Sequence, residues 1–198
     1  MQIQSATFES SSPDLETCPE SDLAEFAFIG RSNVGKSSLI NALTNKKDLA
    51  IVSNTPGRTR LINFFLINEK WSLVDLPGYG YAKASGQHRG KFNEFVSDYL
   101  NNRPNLSCVF VLIDSRHTPQ KIDLEFTSWL VESGIPFVLV YTKTDKVKPA
   151  TVTNNIDLFK IAMSEFCKGA PRIYTTSSKT GDGRKDILNF IGEAVAMR

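Results

Sequence analysis

The run Gly30-Arg31-Ser32-Asn33-Val34-Gly35-Lys36-Ser37-Ser38 has the residue types and spacing to hold a chain of phosphates. It matches G-x-x-x-x-G-K-[ST] and lies between an apolar stretch, AEFAFIG (24–30), and an amphipathic one, KSSLINAL (36–43). Gly30 and Gly35 allow backbone angles that turn successive N–H groups towards one anion, and the following helix adds the positive end of its dipole. Lys36 then reaches the β- and γ-phosphates, and the Ser37 hydroxyl is a ligand for Mg²⁺. This chemistry is common to kinases, ATPases and GTPases, so further residues must narrow it.

Asp75-Leu76-Pro77-Gly78 closes the run WSLVDL (71–76). A carboxylate at a strand end can hold Mg²⁺ through water, and the Gly78 N–H can meet a γ-phosphate. Thr142-Lys143-Thr144-Asp145 follows PFVLVYT (136–142). Asp145 can accept both N1–H and the 2-amino group of guanine; adenine has no such donor pair and would leave the carboxylate unpaired. The Lys143 stem can lie along the base. Thr176-Ser177-Ser178, after RIYTT (172–176), can bring a backbone N–H to guanine O6. A second Mg²⁺ hydroxyl is needed between Lys36 and Asp75; Thr59 is favoured because it directly precedes LINFFLI (61–67), with Thr55 as the alternative. Tyr79 stands where a water-orienting glutamine is usual after D-x-x-G, which predicts slow hydrolysis. Arg31 and Arg58 are either charge stabilisers or exposed basic residues. His117 reads as structural, oriented by Asp114 or Arg116.

These residues need a scaffold that ends several strands at one edge. From Phe26 onward apolar runs alternate with helical stripes. CVFVLID (108–114) and PFVLVYT are almost continuously apolar, as central strands covered on both faces are. LINFFLI and WSLVDL, separated by Asn68-Glu69-Lys70, have hairpin spacing. Helical stripes run through Phe92, Phe95, Val96, Tyr99 and Leu100; Ile122, Phe126, Trp129 and Leu130; Val152, Ile156, Phe159, Met163 and Phe166; and Ile187, Leu188, Ile191, Ala194 and Val195. The expected fold is α/β, a mostly parallel sheet with one antiparallel edge strand and helices on both faces. Residues 1–22 read as a polar leader and residues 23–198 as a single nucleotide-binding domain.

Bulk properties fit one globular domain of 198 residues with a net charge of +2. No apolar run approaches the roughly 18 residues that span a bilayer, and the first residues lack a signal-peptide pattern, so a cytoplasmic protein is expected. Cys18, Cys108 and Cys167 read as separate reduced thiols. Charge is uneven. Residues 1–25 hold Glu9, Asp14, Glu16, Glu20, Asp22 and Glu25 without a Lys or Arg, whereas residues 30–60 hold Arg31, Lys36, Lys46, Lys47, Arg58 and Arg60 against Asp48. The surplus can serve an RNA-rich partner beyond the nucleotide.

GRSNVGKSS, TPGRT, DLPGYGYA and the D-x-R-H of Asp114-Ser115-Arg116-His117 together resemble the EngB (YihA/YsxC) group of bacterial GTPases, over nearly the whole chain. The resemblance implies a Ras-like fold, binding of GTP and GDP with Mg²⁺, a role in assembling the large ribosomal subunit from RNA and protein, and a requirement in cell division and septation. By motif, nucleotide contacts fall on Gly30, Arg31, Ser32, Asn33, Val34, Gly35, Lys36, Ser37, Gly57, Arg58, Thr59, Arg60, Leu61, Asp75, Leu76, Pro77, Gly78, Thr142, Lys143, Thr144, Asp145, Thr176, Ser177 and Ser178, and metal contacts on Ser37 and Thr59. Lys36, Thr59 and Gly78 would carry the chemistry, and residues 46–60 and 78–90 would be the switches. Related GTPases with asparagine at the place of Asn33 ligate K⁺ with it; the alternative is that Asn33 merely suits a tight loop. The resemblance favours a monomer without DNA or membrane partners. A lipid-anchored signalling GTPase fits poorly with the terminal EAVAMR, which carries no C-a-a-X box. A small-molecule kinase fits poorly with TKTD.

Overall fold

The structure is a computed structural model that describes residues 1–51, 61–79 and 94–197. Seven strands form one sheet in the order β1-β3-β4-β2-β5-β6-β7. They are β1 (Ala6–Ser12), β2 (Ala24–Gly30), β3 (Ile62–Ile67), β4 (Trp71–Asp75), β5 (Leu106–Asp114), β6 (Phe137–Thr142) and β7 (Ile173–Thr175). Helices α1 (Lys36–Thr44), α2 (Glu94–Asn102), α3 (Lys121–Glu132), α4 (Pro149–Met163) and α5 (Arg184–Ala196) connect or follow them.

Strands β4, β2, β5, β6 and β7 are mutually parallel, so their carboxyl ends share one edge. Side chains alternate between the two faces. Phe26, Phe28, Phe110, Leu112, Val138 and Val140 pack with Leu39, Ile40 and Leu43 of α1 and Ile187, Leu188 and Ile191 of α5. Ala27, Ile29, Val109, Val111, Ile113 and Leu139 pack on the opposite face with residues of α2, α3 and α4. Two-sided cover is why these strands read as unbroken apolar runs.

Two expectations change. Residues 1–22 are not merely a leader, because β1 pairs antiparallel with β3, with a bulge between Phe8 and Ser10. Only Ala6 and Ser12 of its seven residues are buried, so an edge strand with little to cover looks like polar coil. The following segment is fastened too: Arg103 donates to the Pro19 carbonyl (2.6 Å), and Asn105 donates to those of Ser21 (3.1 Å) and Leu23 (2.8 Å). The strand that runs against the rest is β3, paired antiparallel with β4, and β1 covers it. It is therefore internal and not the edge. Among the described residues no helix is long and apolar enough to cross a membrane.

Candidate functional site

The parallel strand ends open on the loop between β2 and α1, the place where α/β sheets bind ligands. Gly35 caps α1 at φ 105°, and no side chain caps this helix. The first N–H groups of α1 are thus left for a ligand in place of a capping hydroxyl. Lys36 and Asp75, both buried, form an ion pair within the site. Asp75 is carried there by β4, whose register with β2 sets it opposite Phe28. The Ser37 hydroxyl has no protein partner among the described residues. Hydroxyl, carboxylate and an uncapped helix start are the hard-oxygen and N–H donor set that Mg²⁺ and a polyphosphate require.

Gly78 follows on the same edge. A Cβ at this position would come within 2.6 Å of the Gly30 carbonyl oxygen, so only glycine lets the two loops approach. Tyr79 then pairs with Arg31 in an isolated parallel bridge. Its ring stacks on Phe126 (4.5 Å), and its hydroxyl donates to Asp123 Oδ1 at 2.8 Å. Tyr79 is 6% exposed. It is committed to the protein interior, where a water-orienting residue would face the phosphates.

The other side of the loop is bound by ions. Lys143, itself at φ 60°, donates to the Asn33 carbonyl at 2.5 Å and to Asp114 Oδ2 at 2.9 Å. Arg116 holds the same carboxylate through both oxygens, at 2.9 and 2.8 Å. Burial alone would push the Asp114 carboxyl up, but the hydrogen bonds from Arg116 and Lys143 outweigh it and hold it at about 2. The Thr142 hydroxyl donates to the Val34 carbonyl at 2.6 Å. Farther along, Ser177 donates to Asp145 Oδ1 at 2.7 Å and holds that carboxyl below its usual range. The Thr144 N–H and hydroxyl both donate to the Thr176 carbonyl, at 3.2 and 3.1 Å. The TKTD and TSS loops are thereby fixed side by side.

Of the residues expected at the site, the fold brings together Gly30 through Ser37, Asp75 through Gly78, Thr142 through Asp145, and Thr176 through Ser178. Val34, Leu76 and Thr176 bury their side chains and offer the site backbone groups. Leu61 lies just before β3, 38% exposed. Thr55, Gly57, Arg58, Thr59 and Arg60 fall outside the described residues. To His117, Asp114 gives only its backbone carbonyl, at 3.2 Å. Asp123 was not singled out by sequence. Its signal was there: it sits one turn before Phe126 and Thr127 on the inward face of α3, a carboxylate in an apolar stripe.

Comparison with known proteins bears on this geometry directly. Residues 25–143 match the family described as 50S ribosome-binding GTPase. The probable GTP-binding protein EngB of Christiangramia forsetii is 51% identical over 191 residues, covering 96% of each chain. That of Cytophaga hutchinsonii is 52% identical over 189 residues, 95% of this chain and 94% of its own. The chain belongs to the EngB family of GTPases. A crystal structure of a probable EngB superposes with a TM-score of 0.65 at 26% identity, over 88% of this chain and 100% of that one. NFeoB from S. thermophilus, solved with GDP·AlF₄⁻ and K⁺, shares the fold alone at 22% identity and TM-score 0.61, over 84% of this chain and 60% of its own. GTP binding and hydrolysis thus belong to the family whose motifs converge on this edge of the sheet.

Proposed function

We propose that this GTPase is a GTP-gated factor in assembly of the large ribosomal subunit, acting as a cytoplasmic monomer on ribosomal RNA and protein, and needed for normal division and septation. The observation that supports it most is the joining of a guanine-reading pair, Asp145 with Ser177, to a phosphate loop through Lys143 and Thr142, in a chain matching a 50S ribosome-binding family. In this reading the Asp145 carboxylate accepts from the guanine edge while the Thr176-Ser177-Ser178 backbone meets O6. Lys36 turns from Asp75 to the β- and γ-phosphates, and the Gly78 N–H reports the γ-phosphate. Ser37 and Thr59 would hold Mg²⁺, with Asp75 acting through water; the ion would supply charge neutralisation on the phosphates.

The burial of Tyr79 supports slow intrinsic hydrolysis, because no amide stands in its place to orient water. Asn33 is exposed at φ 61°, a conformation asparagine tolerates, which favours its loop-shaping role; as a K⁺ ligand it would make single-turnover hydrolysis faster in K⁺ than in Na⁺, a gain that Asn33→Ala abolishes. The test of the partner is co-sedimentation with large-subunit precursors. Binding is expected to be stronger with a GTP analogue than with GDP and to weaken with salt. Equal binding in both nucleotide states would defeat the gated reading.

A further inference from the structure

Helix α3 carries a carboxylate where its apolar stripe calls for hydrocarbon. Asp123 is 2% exposed, and a charge so placed is costly unless its partners justify it. Those partners are specific. Oδ1 accepts the Tyr79 hydroxyl at 2.8 Å, and Oδ2 lies 3.9 Å from the Arg31 guanidinium. Tyr79 directly follows Gly78, and Arg31 directly follows Gly30. The two residues that Asp123 holds also pair with each other through their backbones, beside the point where the Gly78 and Gly30 backbones come too close for any Cβ. One buried side chain thus fastens both strands of the junction that aims the Gly78 N–H. The Tyr79 ring, stacked on Phe126, fixes the direction from which the hydroxyl arrives.

A phenol-to-carboxylate hydrogen bond, an ion pair at 3.9 Å and a ring stack hold a loop firmly yet exchangeably. Prearranging a donor for one ligand lowers the cost of binding that ligand, with no gain for a ligand that does not meet it. We propose that Asp123 is a positioning residue for the GTP-bound state: through the Tyr79 hydroxyl and the Arg31 guanidinium it fixes Gly78 against Gly30 and so raises the affinity for GTP relative to that for GDP. This rests on the reading of Gly78 as the donor to the γ-phosphate.

The test is calorimetric titration of the full chain with GDP and with a non-hydrolysable GTP analogue. Tyr79→Phe keeps the ring on Phe126 and removes only the hydroxyl. It should leave GDP affinity within about two-fold and weaken the analogue by about five-fold. Asp123→Ala should act in the same direction, and the double variant should be no worse than the stronger single one. Asp123→Asn, whose amide oxygen still accepts the phenol, should recover most of the analogue affinity. Equal losses for both nucleotides in Tyr79→Phe and Asp123→Ala, or none, would overturn the positioning role. Gly78→Ala separates the two levels. If analogue affinity survives it unchanged, the reading of Gly78 falls. If it lowers analogue affinity selectively while the Tyr79 and Asp123 variants do not, only the role of Asp123 falls.

Discussion

Two carboxylates, Asp114 at the end of β5 and Asp123 at the start of α3, flank the same phosphate loop and are held by opposite means. Asp114 is cross-linked by Arg116 and Lys143, and Lys143 passes the restraint on to Asn33. Asp123 has a phenol at hydrogen-bond distance and a guanidinium at 3.9 Å, and burial pushes its carboxyl up to about 6 despite both. The Lys143 side of the loop is therefore an ionic clamp. The Gly78 side rests on one phenol hydrogen bond, a guanidinium at 3.9 Å and a stacked ring, a looser set of contacts than the two-oxygen clamp on Asp114. A molecule that must keep its nucleotide yet respond to one phosphate needs this asymmetry.

The largest perturbation should ignore the asymmetry. Lys36→Ala removes a charge that, in the proposed reading, faces the phosphates of both nucleotides, and it leaves Asp75 buried without its cation. We expect GDP and GTP-analogue affinities to fall together by roughly 1,000-fold, with several kcal/mol of stability lost. Titration and thermal unfolding would read both, and a loss confined to the analogue would contradict a shared role.

The two carboxylates should next be separable by pH. The stability that Asp123 contributes is full below its ordinary value of 3.8 and is lost as pH rises through about 6. Asp114 does the reverse: its contribution is full above 3.8 and is lost as pH falls through about 2. Each spans roughly 2–3 kcal/mol. The groups facing Asp123 are Tyr79, Arg31, His117, Asp114 and Tyr141. In a His117→Gln background, which removes the neighbouring imidazole, Asp123→Asn should flatten the decline in urea stability between pH 4 and 6. An unchanged slope would mean that Asp123 carries no such shift.

The smallest effect should lie within the clamp. Thr142→Val leaves the Val34 carbonyl without its buried donor and should cost about 1–2 kcal/mol. GDP and analogue affinities should weaken alike, unlike the selective loss expected for Tyr79→Phe. A loss selective for the analogue would erase the distinction between the two sides.

Most of the scaffold was legible because burial on two faces writes itself as composition. β2 matched its apolar run, residues 24–30, from end to end, and β5 and β6 contain nearly all of theirs. The phosphate loop was legible because glycines and lysine at fixed spacing have few other uses. β1 was not, since an edge strand with five of seven residues outside the core carries little hydrophobic period. Nor were the Lys143–Asn33 and Thr142–Val34 bonds, which join residues 110 and 108 positions apart; spacing along the chain says nothing about contacts that the sheet creates. Asp123 was legible only as a carboxylate three residues before Phe126 in the apolar stripe of α3; its partners Tyr79 and Arg31 come from other loops and leave no mark in the spacing.

Asp145, held by Ser177, is the residue proposed to read the base. Calorimetric titration of Asp145→Asn with GDP and with xanthosine diphosphate tests it most directly. An amide turns one acceptor into a donor, which meets the extra carbonyl of xanthine and opposes the 2-amino group of guanine. GDP affinity should fall by roughly 100-fold or more while xanthosine diphosphate becomes the better ligand. Unchanged GDP affinity, or equal loss of both nucleotides, would contradict the account.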